Sequence, residues 1–218
     1  GYLVGEIARR LSPTGKTLGQ LLDARMTNTS GGWDDANAPQ IDFWIGLPAS
    51  EHDRCAEIMR PRALPDLGEI NDATRAAFLT KWAAPDRGGA IWREIEIPSA
   101  NGHGTALSVA QLYGAYATGG EQGQNHVTMT DAVTRQRVIG QDLVLPFVTE
   151  FAAGVLRNNL GLYGPNTETL AQSGWGGSMA LADPDLRLSA GYVMNRQSNH
   201  LQGDPRARRL VEALYQDL

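Results

Sequence analysis

From Leu186 to Asn195 the side chains alternate: Leu186, Leu188, Ala190, Tyr192 and Met194 fall on one side, Arg187, Ser189, Gly191, Val193 and Asn195 on the other. A period of two fits a strand with one face against a core. Asp183-Pro184-Asp185 just before it reads as a hairpin turn, which makes Gly176–Ala182 the partner strand. Thr167–Ser173 reads as a third strand. Asp204-Pro205 then starts a terminal helix, with proline at the first helical position and Ala207, Leu210, Val211, Leu214 and Leu218 as its apolar stripe.

Upstream the period changes to that of helices. Leu3, Val4, Ile7, Ala8 and Leu11 recur at helical spacing from almost the first residue, with no cap and no initiating methionine before them. A natural chain seldom begins in mid-helix, so a segment upstream of Gly1 is expected. Thr17 and Gln20 have the spacing of a capping box that opens a second helix holding Leu18, Leu21, Leu22 and Met26. Residues 27–42 read as loop, and Ile41–Leu47 as a short apolar run ended by Pro48. Helical segments are expected near 49–60, at 72–83 with Asn71 or Asp72 as cap, over Ala106–Tyr116 from a Thr105 cap to Gly119-Gly120, and over 146–157 through Phe147, Phe151, Val155 and Leu156. The character changes near residue 165. The expectation is an α+β chain, with a mostly helical domain over 1–164 and three strands plus a covering helix over 165–218.

Several function classes drop out on composition. The 19 basic and 24 acidic residues give a formal charge of -5, which argues against a nucleic-acid footprint. The basic cluster Arg206–Arg209 reads as a solvated helix face. No run of 18 apolar residues spans a bilayer, and the N-terminus lacks the blocks of a signal peptide. The single cysteine, Cys55, leans the compartment toward a reducing, cytoplasmic one without fixing it. There is no Gly-x-Ser-x-Gly elbow, His-Glu-x-x-His, phosphate loop or dinucleotide fingerprint. The histidines 52, 103, 126 and 200 lack metal-ligand spacing, and neither metal nor cofactor is expected. No Ser-x-x-Lys occurs; Ser12 and Lys16 are one residue too far apart.

The informative stretch is Gln172-Ser173-Gly174-Trp175-Gly176-Gly177-Ser178. Glycines beside a strand let another chain or a ligand approach the backbone, so such an edge can offer an N–H to an oxyanion and a rail of hydrogen bonds to a substrate. Spacing alone equally allows a glycine-rich bend with Trp175 packed over it. This stretch continues through Met179-Ala180, Ala182-Asp183-Pro184 and Gly191-Tyr192-Val193-Met194-Asn195-Arg196. In that order it resembles the C-terminal end of the serine β-lactamase-like superfamily, and within it the class C-like, family VIII carboxylesterases. Gly1-Tyr2-Leu3-Val4-Gly5-Glu6, Asp42-Phe43-Trp44-Ile45-Gly46-Leu47-Pro48 and Asn101-Gly102-His103-Gly104-Thr105-Ala106 resemble the same branch, so the likeness covers essentially the whole chain.

The resemblance implies a β-lactamase/transpeptidase-like fold and a serine hydrolase. A Ser-x-x-Lys serine forms an acyl-enzyme, a lysine and a tyrosine relay its proton, and a third box on an edge strand lines the pocket. Gln172-Ser173-Gly174 would be that box, with Gln172 where lysine or histidine usually stands. The Trp175 N–H beside Gly174 would be one oxyanion donor, and Gly176 and Asn195 would lie near substrate. Trp175-Gly176-Gly177 also matches a Trp-Gly-Gly form of the box, three residues on. The serine, lysine and tyrosine would lie upstream of Gly1, in the same protein or on a second chain, and this chain alone would be inactive. Glutamine neither carries the charge of lysine nor titrates like histidine, so a small neutral ester is the expected substrate and β-lactam turnover should be weak. A binding or structural protein on the same scaffold, and an acyltransferase or lactamase, are the alternatives.

Overall fold

The structure is a computed structural model that describes residues 1–27, 41–79, 88–118 and 135–218. It opens with two helices, α1 (Tyr2–Leu11) and α2 (Leu18–Thr27). The expected capping box closes reciprocally at the start of α2. The Thr17 N–H donates to Gln20 Oε1 at 3.0 Å, and the Gln20 N–H donates to Thr17 Oγ1 at 3.3 Å. Glu96 reinforces this end, accepting from the Gly19 N–H at 3.0 Å, where a carboxylate complements the helix dipole. None of α1's side chains is buried, and its apolar stripe is open to solvent, with Leu3 82% and Leu11 78% exposed.

A two-stranded ribbon follows, β1 (Phe43–Ile45) antiparallel to β2 (Gly102–Gly104). Between them run a single 3-10 turn (Ala49–Arg54), a short α3 (Asp72–Thr74) continuing as a π turn (Arg75–Leu79), and α4 (Ala90–Glu94). Asn71 is the cap of α3, accepting from the Thr74 N–H at 2.8 Å, and Thr105 caps α5 (Ala106–Ala117) through the Ser108 N–H at 3.1 Å. The apolar run at 41–47 supplies β1, and of the helix expected over 49–60 only the 3-10 turn forms. The Gly119-Gly120 stop and residues 80–83 lie outside the described residues.

The body of the protein is a six-stranded antiparallel meander in sequence order: β3 (Val138–Gln141), β4 (Val148–Phe151), β5 (Leu156–Arg157), β6 (Leu170–Ser173), β7 (Met179–Asp183) and β8 (Leu188–Tyr192). The last three are the strands read from the sequence. The helix expected over 146–157 is instead β4, a turn and β5. Its apolar residues have helical spacing, but Gly154 takes φ +93 and the Ala152 N–H bonds the Val155 carbonyl at 2.9 Å, closing a turn where a helix would need to continue. Ala152 and Val155 then pack with Leu170 of the sheet and Tyr116 of α5. The sheet thus begins well before residue 165.

β7 is buried along its whole length because both faces are covered. Met179 and Leu181, with Ala171, Ala190 and Tyr192, meet Ala207 and Val211 of the terminal helix α6 (Pro205–Gln216). The opposite face lies under α5. There Gly191 is required by a close approach: a Cβ at that position would stand 2.6 Å from the Ala106 carbonyl oxygen and 3.0 Å from the Ala110 nitrogen. The hairpin turn between β7 and β8 is organised by Asp183. Its Oδ1 accepts from the Asp185 N–H at 3.0 Å and from Asn166 Nδ2 at 2.8 Å. The described residues thus combine helices with an antiparallel sheet covered by the terminal helix, as the resemblance implied. Among the described residues no helix is long and apolar enough to cross a membrane.

Candidate active site

β6 is longer than the partner on its outer side. Leu170 and Ala171 pair with both β5 and β7, whereas Gln172 and Ser173 pair with Ala180 and Met179 of β7 and with no described residue of β5. An open stretch of strand edge therefore begins at Gln172 and leads into the turn Gly174–Gly177. Open strand edges of this kind can accept an extended ligand through main-chain hydrogen bonds.

Alternation along β6 sends neighbouring side chains to opposite faces. Gln172 is exposed, on the side of Leu170, with its Nε2 donating to the Ser173 carbonyl at 3.2 Å. Ser173 is on the side of α6, its hydroxyl 2.6 Å from the Tyr163 hydroxyl. Burial pushes the Tyr163 phenol above its usual range and the Ser173 hydrogen bond pulls it partly back, so Tyr163 stays a neutral partner near neutral pH.

The glycine turn itself is tightly bonded. The Gly174 N–H donates to the Ser178 carbonyl at 2.8 Å, and the Gly177 N–H to the Gly174 carbonyl at 3.1 Å. The Gly176 N–H donates to the His200 carbonyl at 3.3 Å, and the Ser198 N–H returns a bond to the Gly176 carbonyl at 2.8 Å. Gly176 and Gly177 adopt φ +109 and +117, outside the range of ordinary side-chain-bearing residues. The Trp175 indole stands edge-on to Phe78, with ring centroids 5.8 Å apart and planes at 88°. That contact brings the π turn after α3 to the rim of the open edge.

The site residues read from the sequence are brought together unevenly. Gln172 lies on the open edge, and Gly174, Trp175 and Gly176 follow it in the turn. Ser173's hydroxyl turns to the other face. Asn195 lies beyond the end of β8, exposed, with its carbonyl accepting the Met59 N–H at 2.8 Å. Two residues on, Gln197 meets the turn: its Cγ would be 3.0 Å from a Cβ on Gly176. Among the described residues no group of three or more histidine, cysteine, aspartate or glutamate side chains could hold a metal ion.

Other residues at this site were not singled out by sequence reasoning. Phe78 gave no signal, being one apolar residue in an expected helix. Tyr163 sits in a turn before β6. Asp204 was read only as the start of the terminal helix, and Arg206 as part of a solvated basic face. The cluster is in fact divided. Arg208 and Glu212 form an exposed pair, whereas Arg206 turns inward, donating to the Gly176 carbonyl at 3.3 Å and to the Arg196 carbonyl at 2.9 Å.

The family model described as Beta-lactamase matches residues 1–215. A penicillin-binding protein homolog from Caulobacter crescentus is 47% identical and superposes with a TM-score of 0.84, covering 100% of this chain and 57% of that one. A family VIII carboxylesterase is 36% identical with a TM-score of 0.80, over 100% of this chain and 56% of that one. The esterase/beta-lactamase LipL of Mycobacterium tuberculosis is 28% identical over 166 residues, which is 68% of this chain and 38% of that protein. The chain thus spans 38% of the curated relative and 56–57% of these two solved chains.

Proposed function

This chain belongs to the beta-lactamase family, and from that premise we propose that it is the C-terminal part of a Ser-x-x-Lys serine hydrolase acting on small, neutral esters. The observation that carries the reading is the open edge of β6 from Gln172 onward, leading into a glycine turn. The esterase names of two relatives point to the same reaction class.

The reaction is acyl transfer to a serine and then to water. The serine oxygen bonds to the acyl carbon as the ester C–O bond breaks. The serine's proton passes through the lysine and tyrosine relay to the departing alcohol, and water then cleaves the acyl-enzyme. Serine, lysine and tyrosine lie on polypeptide outside this chain. The apolar stripe of α1, exposed at Leu3, Val4, Ile7 and Leu11, supports the view that further polypeptide packs here. This chain contributes the edge: Gln172 and Gly176 along the substrate, Gly174 for close approach, and the Trp175 amide as one oxyanion donor beside the nucleophile's own amide. With Ser173 bonded to Tyr163, its part is to hold β6 in place. Asn195 flanks the far end.

The uncharged Gln172 favours neutral esters over substrates that present a carboxylate. The same residue supports a second reading, a non-catalytic binding protein on this scaffold. Hydrolysis of p-nitrophenyl butyrate by the chain alone, and by the chain together with the upstream polypeptide, tests both. The expected result is turnover only with the upstream part. Turnover by the isolated chain overturns the assignment of roles, and none by the combination, with its serine present, favours the binding protein.

A further inference from the structure

The turn that carries Trp175 is held from behind by a charged pair at the start of α6. Asp204 is 3% exposed. Its Oδ1 accepts from the Arg206 N–H at 2.8 Å, which caps the helix. Both carboxylate oxygens also accept from the Arg206 side chain: Nε lies 3.0 Å from Oδ1, and Nη2 lies 2.6 Å from Oδ2. The guanidinium, fixed in this way, reaches two carbonyls of different segments, Gly176 on the turn through Nη2 and Arg196 through Nη1. The segment after Arg196 is paired to the turn in its own right through Ser198, His200 and Gly176. A Cβ on Gly177 would overlap the Asp204 carboxylate, so the turn lies flush against the pair.

We propose that Asp204 and Arg206 are positioning residues of the acyl-transfer site, clamping the Gly174–Gly177 turn so that the Trp175 amide is held at the oxyanion position. The proposal rests on the esterase reading above. Neither residue touches substrate. They act through the turn, whose positive-φ glycines have little conformational preference of their own and so need an external hold. An oxyanion donor is effective only when fixed within a few tenths of an ångström before charge develops. A planar guanidinium held on one side by a carboxylate can bond two carbonyls at once, which a lysine ammonium on a flexible stem does poorly.

The test compares Arg206→Gln, Arg206→Lys and Asp204→Asn with Arg208→Gln. Asparagine is itself a good helix cap, so Asp204→Asn removes the charge and leaves the cap. Arg208→Gln breaks a surface pair of the same helix and controls for loss of helix stability. Amide hydrogen exchange on this chain reads the clamp directly. Exchange at Gly176 and Gly177 should rise about tenfold or more relative to Leu181 in β7 for the Arg206 and Asp204 variants, and not for Arg208→Gln. Ester turnover by the chain with its upstream polypeptide reads the positioning: kcat should fall about 10–100-fold with KM little changed. Unchanged exchange overturns the clamp. Faster exchange with unchanged kcat overturns the positioning role and leaves a structural brace. Absence of turnover in the unmodified assembly removes the esterase reading and the positioning role with it, while the exchange result still decides the clamp.

Discussion

The Tyr215 hydroxyl, near the end of α6, donates to Asp183 Oδ2 at 2.7 Å and so ties the terminal helix to the β7–β8 hairpin turn. Asp183 is 1% exposed, and every bond it makes is to a donor. Burial alone would raise its carboxyl, but the Asn166 and Tyr215 side chains and the Leu186 and Asp185 amides outweigh this and hold it below the usual carboxylate range. Asp204 behaves alike: burial opposes ionisation, and Arg206 with Ser198 brings the carboxyl down to about 2.

An acid-labile fold follows from these two carboxylates. Each has a folded-state pKa below its unfolded value, so its contribution is complete above the unfolded pKa of about 4 and is lost as pH falls through the folded one. Urea midpoints should therefore decline from about pH 4 toward pH 2. Asp183→Asn and Asp204→Asn should flatten that decline while lowering stability at pH 7. Tyr215→Phe, which leaves a buried carboxylate oxygen short of a donor, should cost about 1–3 kcal/mol at pH 7. A decline as steep in the double asparagine variant as in the unmodified chain would place the acid sensitivity elsewhere.

Gly191 gives a packing prediction. Because the α5 backbone crosses it within 2.6 Å of a would-be Cβ, Gly191→Ala should force α5 off the sheet and destabilise by about 1–3 kcal/mol, and Gly191→Val by more. By contrast, Gly140→Ala, on an edge strand with nothing within 4 Å of the added methyl, should leave the thermal midpoint within about 2 °C.

Gln172 carries the specificity argument. It is exposed on the open edge, so Gln172→Lys should change stability by under about 0.5 kcal/mol. A cation there should raise kcat/KM for esters bearing a carboxylate relative to neutral esters, by about tenfold at low salt and by less as salt is added. The ratio of the two activities across a salt series checks it. An unchanged ratio would mean that Gln172 does not face bound substrate.

Much of this was legible in the chain itself, for reasons particular to each element. The β7–β8 hairpin could be read because period-two alternation and an Asp-Pro-Asp turn agree with each other. The caps at Thr17, Asn71 and Thr105 could be read because a cap is a local hydrogen bond between near neighbours. The segment 146–157 could not: Phe147, Phe151 and Val155 have helical spacing, and only the sheet partners Val138 and Leu170, distant in sequence, make the extended form the better one. The same limit hid the rear of the site. Arg206 looked like one charge of a solvated run because its acceptors, the Gly176 and Arg196 carbonyls, are backbone groups with no residue-type signature. Phe78 meets Trp175 across almost a hundred residues, a pairing that no local pattern encodes.

The indole contact of Trp175 and the oxyanion role proposed for its amide can be separated by substitution. The indole packs edge-on against Phe78, and double substitution of the two rings should show a coupling of about 1 kcal/mol in stability, with turnover changed only modestly by Trp175→Phe. The amide is retained in Trp175→Ala and lost in Trp175→Pro. If it is the oxyanion donor, kcat should fall about 100–1000-fold further in the proline variant than in the alanine one, with KM for a neutral ester similar in both. Proline also restricts Gly174 before it, so hydrogen exchange at Leu181 and the urea midpoint must show that β6 and β7 are still formed. A folded proline variant as active as Trp175→Ala would assign the oxyanion to another donor and detach the glycine turn from the chemistry.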